Sequence, residues 1–325
     1  MKAKRNFLLL VIVSLVTLCI LFTYTHSLFD FIPKFEFHAD KETLSIYTFA
    51  DKPSEMFCLS VESAIANGVT LHVLGLDGGL SDELDQFDKK LLKPHMFLQA
   101  AKHAVQKYGT NHIVMIVDAF DVLFQQPPQY FLDRFRSFNH PIVYSAENNC
   151  WPFASGELHP QHPMCVAQRQ MSPEMVAVYL GKGRPVHYIN TGAVIGLAGH
   201  LVDWFSNATA MMKFHSFVDD QELGARMMVE GNYSIALDVR SSMFMSMNDA
   251  TEILEQYRTS RLFRNKATGF TPGLLHFNGD KSTINDFSQK LWFRTPEKFS
   301  IAKIKDGKVY RENNLVAYST ICPDI

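Results

Sequence analysis

Behind a basic amino terminus (Lys2, Lys4, Arg5), residues 7–25 run without a single charged side chain. Such a run is at the short end of what crosses a bilayer, roughly 17 to 25 residues, and longer than most signal-peptide cores, roughly 7 to 15. No small-x-small cleavage site follows it, because Thr23-Tyr24-Thr25-His26-Ser27 places bulky groups there. Basic residues on the amino side hold that end in the cytosol. The pattern therefore predicts a cytosolic tail over 1–6, a transmembrane signal anchor over 7–25, a stem over 26–42 and a lumenal domain over 43–325.

From Leu44 the pattern alternates between strand and helix. Residues 44–49 form a short β-rich run, and 60–67 read as a helix stopped by Gly68. Strand 69–74 follows, then helix 97–107. Residues 112–117 are apolar on both faces, as a central parallel strand must be. Strands at 141–144 and 193–196 and a helix at 221–229 complete the reading. The order predicts an α/β domain with a mostly parallel central sheet covered on both faces.

Lys plus Arg total 31 against 33 Asp plus Glu, so no basic surplus exists to neutralise a nucleic-acid backbone. Nucleic acid is therefore not an expected partner. Asn207-Ala208-Thr209 and Asn232-Tyr233-Ser234 are glycosylation acceptor triplets, in keeping with a lumenal domain of the Golgi or endoplasmic reticulum. Cys19 falls in the membrane run, which leaves Cys58, Cys150, Cys165 and Cys322. Four thiols in an oxidising compartment allow three pairings, or some stay as buried free thiols. Cys150 with Cys165 closes the shortest loop and is the preferred pair.

Ligand chemistry in such sheets gathers at the carboxyl ends of strands. The apolar strand ending at Val117 runs directly into Asp118-Ala119-Phe120-Asp121. Two carboxylates three apart in a turn can converge on Mg²⁺ or Mn²⁺ and neutralise a diphosphate without a basic cluster. The competing reading makes Asp118 a helix cap and Asp121 a solvated turn residue. Gly78-Gly79 reads as a plain turn. Asp219 and Asp220 begin a helix, where they either stabilise its amino end or act on a substrate as a proton acceptor or a steadying charge. Trp151 offers a flat apolar face and Asn190 a hydrogen-bond donor to a ligand, unless both are core.

Five blocks, in order, carry a resemblance: Val117-Asp118-Ala119-Phe120-Asp121-Val122-Leu123-Phe124; Tyr144-Ser145-Ala146-Glu147 with Cys150-Trp151-Pro152; Tyr188-Ile189-Asn190-Thr191-Gly192; Asp219-Asp220-Gln221; and His276-Phe277-Asn278-Gly279-Asp280-Lys281. Together they resemble the amino-terminal glycosyltransferase domain of the procollagen lysyl hydroxylases. The resemblance implies a GT-A-like nucleotide-sugar-binding fold, a UDP-sugar donor and Mn²⁺. It implies Asp118, Asp121 and His276 as metal ligands, and Thr48, Phe49 and Phe120 as nucleotide contacts. Phe120 stands where the family usually has Tyr, so a hydroxyl contact is lost. Lys93 resembles a family lysine ahead of the metal strand and would pair with phosphate; Asn278, Gly279 and Lys281 join the substrate set. The family's longer acidic run is trimmed here to Asp219 and Asp220.

The resulting expectation is a type II membrane protein, a hexosyltransferase acting from a UDP-sugar on a protein or glycan hydroxyl. A lumenal metallohydrolase would use the same carboxylates, and a glycan-binding pseudoenzyme would need none of them.

Overall fold

The computed structural model describes residues 44–77, 89–153, 161–171, 186–231, 233–248, 250, 253–279, 281–294, 304–312 and 314–323. Residues 7–25 and 26–42, expected above to be an anchor and a stem, and Gly78, Gly79 and Asn232 lie outside the described residues. Among the described residues no helix is long and apolar enough to cross a membrane.

The main sheet has eight strands: β1 (Leu44–Phe49), β2 (Leu71–Leu74), β3 (Ile113–Val117), β5 (Ile142–Glu147), β6 (Tyr188–Leu197), β7 (Ile235–Asp238), β12 (Lys308–Arg311) and β13 (Asn314–Ala317), in the order β13-β12-β2-β1-β3-β6-β5-β7. β12, β2, β1 and β3 run parallel, as do β5 and β7, but β6 is antiparallel to both β3 and β5 and β13 to β12. Because β6 is antiparallel to both neighbours, β5 and β7 point the same way as β3: the sheet is mostly parallel, as expected, with two reversed strands, β6 inside it and β13 at its edge. The reversal of β6 departs from the expectation, since it is buried at all ten positions and its apolar pattern reports burial on two faces and carries no direction.

Helix α1 (Glu55–Ala66) starts where Ser54 accepts a hydrogen bond from the Phe57 N–H and ends before Gly68, whose φ of 72° closes the turn. It begins five residues earlier than the sequence reading because this cap, not apolar periodicity, sets its start. Helix α2 (Lys89–Tyr108) carries Pro94 inside it and packs with α5 (Ala198–Met212) over one face of the sheet, burying Phe97, Leu201, Trp204 and Phe205. Burying such aromatics stabilises by roughly 1.5 to 3 kcal/mol each.

Beside the main sheet, β4 (Val122–Phe124), β11 (Leu274–His276) and β8 (Phe244–Ser246) form a three-stranded sheet, with β11 antiparallel to β4 and parallel to β8. It has its own core of Leu123, Met245, Leu275 and Phe277. The remaining elements are α3 (Pro128–Phe138), α4 (Pro163–Met171), α6 (Asp220–Glu230), the β9–β10 hairpin (Leu254–Gln256, Phe263–Asn265), α7 (Ile284–Lys290) and α8 (Tyr318–Ile321). Cys150 pairs with Cys165, and Cys58 with Cys322. The second bridge joins α1 to the carboxyl-terminal segment. Asn207 is exposed on α5.

Candidate functional site

Three strands end side by side. Register sets Phe49 opposite Leu74 and Thr48 opposite Val117, so β2, β1 and β3 finish together immediately before Asp118. The Thr48 hydroxyl donates to the Val117 carbonyl at 2.9 Å and pins those ends. From there the chain turns through Asp118 and Asp121 into β4, where Val122 lies opposite His276 on β11. The Phe277 N–H donates to the Asp121 carbonyl at 2.7 Å, and the Asp118 N–H to that of Gly192 at 2.8 Å. Main and small sheets are thereby locked at the turn.

This locking brings Asp118, Asp121 and His276 together, with one ligand atom from each within 4.8 Å of the others. The imidazole Nε2 is 3.5 Å from Asp118 Oδ2 and 3.6 Å from Asp121 Oδ1. Its Nδ1 lies 3.0 Å from Asn190 Oδ1, which also accepts the Gly192 N–H at 3.1 Å. An oxygen facing Nδ1 places a proton there and aims Nε2 at the two carboxylates, the arrangement a metal-ligating histidine needs. Two carboxylates and an imidazole suit a divalent cation with borderline-hard preferences.

Charge in this space is balanced by direct pairing. Lys93 Nζ is 2.7 Å from Asp118 Oδ1 and 3.0 Å from Asp220 Oδ2, and Lys281 Nζ is 2.7 Å from Asp121 Oδ2. Burial disfavours the imidazolium of His276, yet Asp121 and Asp118 outweigh it and lift the group to about 9. Burial alone would raise Asp118 and Asp121; Lys93 and His276 instead hold Asp118 well below the usual carboxylate range, and His276 with Lys281 hold Asp121 down. Lys93 is raised because Asp118 and Asp220 overcome its own desolvation.

Asp219 and Asp220 have separate jobs. Asp219 is the N-cap of α6: Oδ1 accepts from the Gln221 and Glu222 N–H groups at 3.1 and 2.9 Å, and Oδ2 takes the indole N–H of Trp151. Asp220 faces Lys93 and accepts from the Thr191 hydroxyl at 2.8 Å. Trp151, 39% exposed, keeps part of its ring open to solvent beside Asp219.

The other expected residues fall in three groups. Phe120 is half-buried with its ring 6.2 Å from that of Phe57, and Phe49 is half-buried at the end of β1. Gly279 is exposed at φ 84°, in the turn between Asn278 and Lys281. Asn190 and Asn278 are turned inward. Both donate to Glu147, Asn190 to Oε1 at 3.3 Å and Asn278 to Oε2 at 2.8 Å, and Gln221 Nε2 donates to Oε1 as well. Asn278 Oδ1 accepts from the Met247 and Asn248 N–H groups.

Glu147 is the residue to which the sequence reading gave no role. Burial pushes its carboxyl up while the three amides favour its charged form. Through Asn190 it fixes the acceptor oxygen to which the His276 Nδ1–H is tied. Gly192 and Thr191 are likewise unassigned in sequence: a Cβ at Gly192 would lie 2.0 Å from His276 Cε1. The available signal was their position inside the resembling blocks.

The family model of the PLOD GT domain matches residues 40–294. Among curated relatives, procollagen-lysine,2-oxoglutarate 5-dioxygenase 1 of Gallus gallus is 25% identical over 250 residues, 74% of this chain and 30% of the relative. The multifunctional procollagen lysine hydroxylase and glycosyltransferase LH3 of Homo sapiens is 25% identical over 248 residues, 73% of this chain and 30% of the relative. The chain therefore spans about a third of the length of the curated relatives it matches. Among solved structures, galactosyltransferase LgtC in complex with donor and acceptor sugar analogues aligns over 76% of this chain and 94% of its own at 12% identity and a TM-score of 0.42, too slight a likeness to carry an argument.

Proposed function

The chain belongs to the PLOD GT domain family of glycosyltransferase domains, and we propose that it moves a hexose from a UDP-sugar to a hydroxyl of a protein or glycan acceptor, using Mn²⁺, with Mg²⁺ as a substitute. The observation that carries this reading is the convergence of Asp118, Asp121 and His276 at the strand ends, with Asp220 one lysine away. The donor set fits a divalent cation, and that cation, when bound, neutralises the charge developing on a diphosphate leaving group.

The chain's own residues supply the rest. Glu147 and Asn190 hold His276 in the tautomer that leaves Nε2 free. Lys93 keeps the carboxylates of Asp118 and Asp220 from repelling each other. Asp220, steadied by Thr191, is placed to support positive charge at an anomeric carbon or to accept the acceptor's proton. Trp151 offers its open ring face to a sugar beside them. A GT-A arrangement and nucleotide contacts at Thr48, Phe49 and Phe120 belong to the same reading. So does residence in the Golgi or endoplasmic reticulum membrane, anchored by residues 7–25 with the domain lumenal; two disulfides, which persist in oxidising compartments, support it.

The test is a UDP-sugar panel with the full chain in detergent and Mn²⁺. One sugar is expected to be released slowly with UDP, release stopping with chelator and giving way to transfer once an acceptor is supplied. Turnover of none of the donors, with or without metal, would overturn the reading. A hydrolase would show release that no acceptor diverts.

A further inference from the structure

Residues 304–312 and 314–323 lie beyond the family match, which ends at 294, yet they extend the main sheet. β12 runs parallel to β2 with Tyr310 opposite His72 and Arg311 opposite Val73, and the Tyr310 ring stacks on His72 at 4.3 Å. At the turn into β13, Glu312 takes a φ of 51°, a conformation that side-chain-bearing residues rarely adopt. Two bonds hold it there: its N–H donates to Val73 O at 2.9 Å, and its Oε1 accepts the Gly75 N–H at 2.6 Å. Arg311 pairs with Asp77 at 2.5 Å. The turn after β2 is therefore fastened from the carboxyl terminus.

What that turn touches gives the contact its meaning. Gly75, at φ 93°, packs so closely on β1 that a Cβ would come within 2.3 Å of Phe49 Cε2 and 2.9 Å of the Ala50 carbonyl. Strands lie about 4.8 Å apart, so the end of β2 is about 10 Å from that of β3. On the donor reading, a nucleoside attached to a diphosphate at Asp118 and Asp121 would lie over these strand ends, the side on which sheets of this kind bind ligands. At its far end the segment is tied to α1 by the Cys58–Cys322 bridge and by the Tyr318 hydroxyl, which donates to the Cys58 carbonyl at 3.4 Å.

We propose that Glu312 is a positioning residue for the donor nucleotide: it holds the Gly75–Asp77 turn against Phe49, so that the ends of β1 and β2 form a ready-made floor for the base. The proposal rests on the donor reading above. A floor fixed before binding spares the ordering cost of binding and leaves the chemical step alone, so its loss should appear in nucleotide affinity and KM rather than in kcat.

The experiment uses the full chain in detergent, with calorimetry of UDP in Mn²⁺ and kinetics of UDP-sugar hydrolysis. Glu312→Ala should raise the UDP Kd and the KM about tenfold, leave kcat within about twofold, and leave Mn²⁺ affinity without nucleotide unchanged. Glu312→Gln keeps an oxygen for the Gly75 N–H and should restore most of the loss. The double variant Cys58→Ala, Cys322→Ala, which frees the far end, should move KM in the same direction. An unchanged KM in Glu312→Ala, even with a lower melting temperature, would make the hairpin a stabilising element and overturn the proposal. A parallel loss of Mn²⁺ affinity and kcat would overturn it too, by showing damage that reaches the metal ligands. Absence of UDP binding to the unmodified chain would instead overturn the donor reading itself.

Discussion

Gly192→Ala adds one methyl group where β6 passes His276, and the structure sets its effect. That methyl would lie 2.0 Å from Cε1 and 2.7 Å from each ring nitrogen. Carbons in contact settle near 3.5 to 4.0 Å, so about 1.5 Å of overlap must be relieved. Neither side has slack. β6 is buried throughout and, although it bulges from β5 between Asn190 and Val194, Gly192 is held by the Asp118 N–H on its carbonyl, while His276 is 2% exposed and tied to Asn190. The ring has to swing from Asp118 and Asp121 by on the order of 1 Å, a misplacement that costs on the order of 10²-fold. Calorimetry of Mn²⁺ with the full chain should show affinity about 100-fold weaker, and metal-dependent UDP-sugar hydrolysis should fall with it. The overpacking should also cost about 1 to 3 kcal/mol of stability. Gly68→Ala is the control: it meets no atom within 4 Å but forces a side chain to φ 72°, so it should lower stability and leave Mn²⁺ affinity alone. A folded Gly192→Ala protein that binds Mn²⁺ within about threefold of the parent would refute the assignment of His276 as a ligand.

Other expectations concern the neighbouring groups. Asp220→Asn should keep UDP and Mn²⁺ affinity and lower transfer by on the order of 10²-fold, measured as kcat, since charge there matters mainly in the transition state. Asp219→Ala removes the α6 cap and should cost about 1 kcal/mol in chemical denaturation with little change in kcat; if it alone is crippled, the two roles exchange. Glu147→Gln presents an amide to three amide donors, so Mn²⁺ affinity should weaken by roughly 10- to 100-fold although Glu147 touches no metal ligand, and unchanged affinity would sever it from His276. His72, lowered to about 4 by burial with His103, Lys107 and His112 adding to the effect, is a depressed histidine. Its stability contribution is complete above the unfolded value near 6.5 and is lost as pH falls toward 4, by up to about 1.4 kcal/mol per pH unit. Denaturation at pH 7 and 4.5 should show a smaller loss in His72→Gln; an identical loss would place the proton uptake elsewhere.

The sequence reveals the parts of this fold in which one residue's environment decides its type. Residues 113–117 are apolar at every position because both faces of β3 are covered, and such a run is visible without partners. The direction of β6 is not, because an apolar run reads the same either way. β4, β8 and β11 are three residues each, shorter than any period can resolve. Yet β4 and β11 are what place His276 against the aspartates. So Asp118 and Asp121 are legible from spacing at a strand end, whereas His276 is legible only through a resemblance, and Glu147 not at all until Asn190 and Asn278 are seen to converge on it.

The same limit applies to charge. A net charge of -2 over the chain says nothing about six ionic groups gathered at one place. Lys93, Lys281 and His276 face Asp118, Asp121 and Asp220, and Asp121 is only 5% exposed. Removing Asp121 takes a carboxylate from the buried His276, which keeps Asp118, and from Lys281, whose side chain is 43% exposed and stays in water, so the cost falls below the roughly 3 to 5 kcal/mol of a fully buried pair. As the solvated turn residue that its spacing also allows, Asp121 would contribute little to stability. Its burial argues otherwise: Asp121→Ala should lower stability as well as abolish metal binding, because Lys281 and the imidazolium lose this partner. Asp121→Asn keeps the volume and some hydrogen bonding. Comparing the two by denaturation and by Mn²⁺ calorimetry separates the packing of this carboxylate from its ligand chemistry, and equal stability of Asp121→Ala and the parent would return Asp121 to the role of a surface ligand.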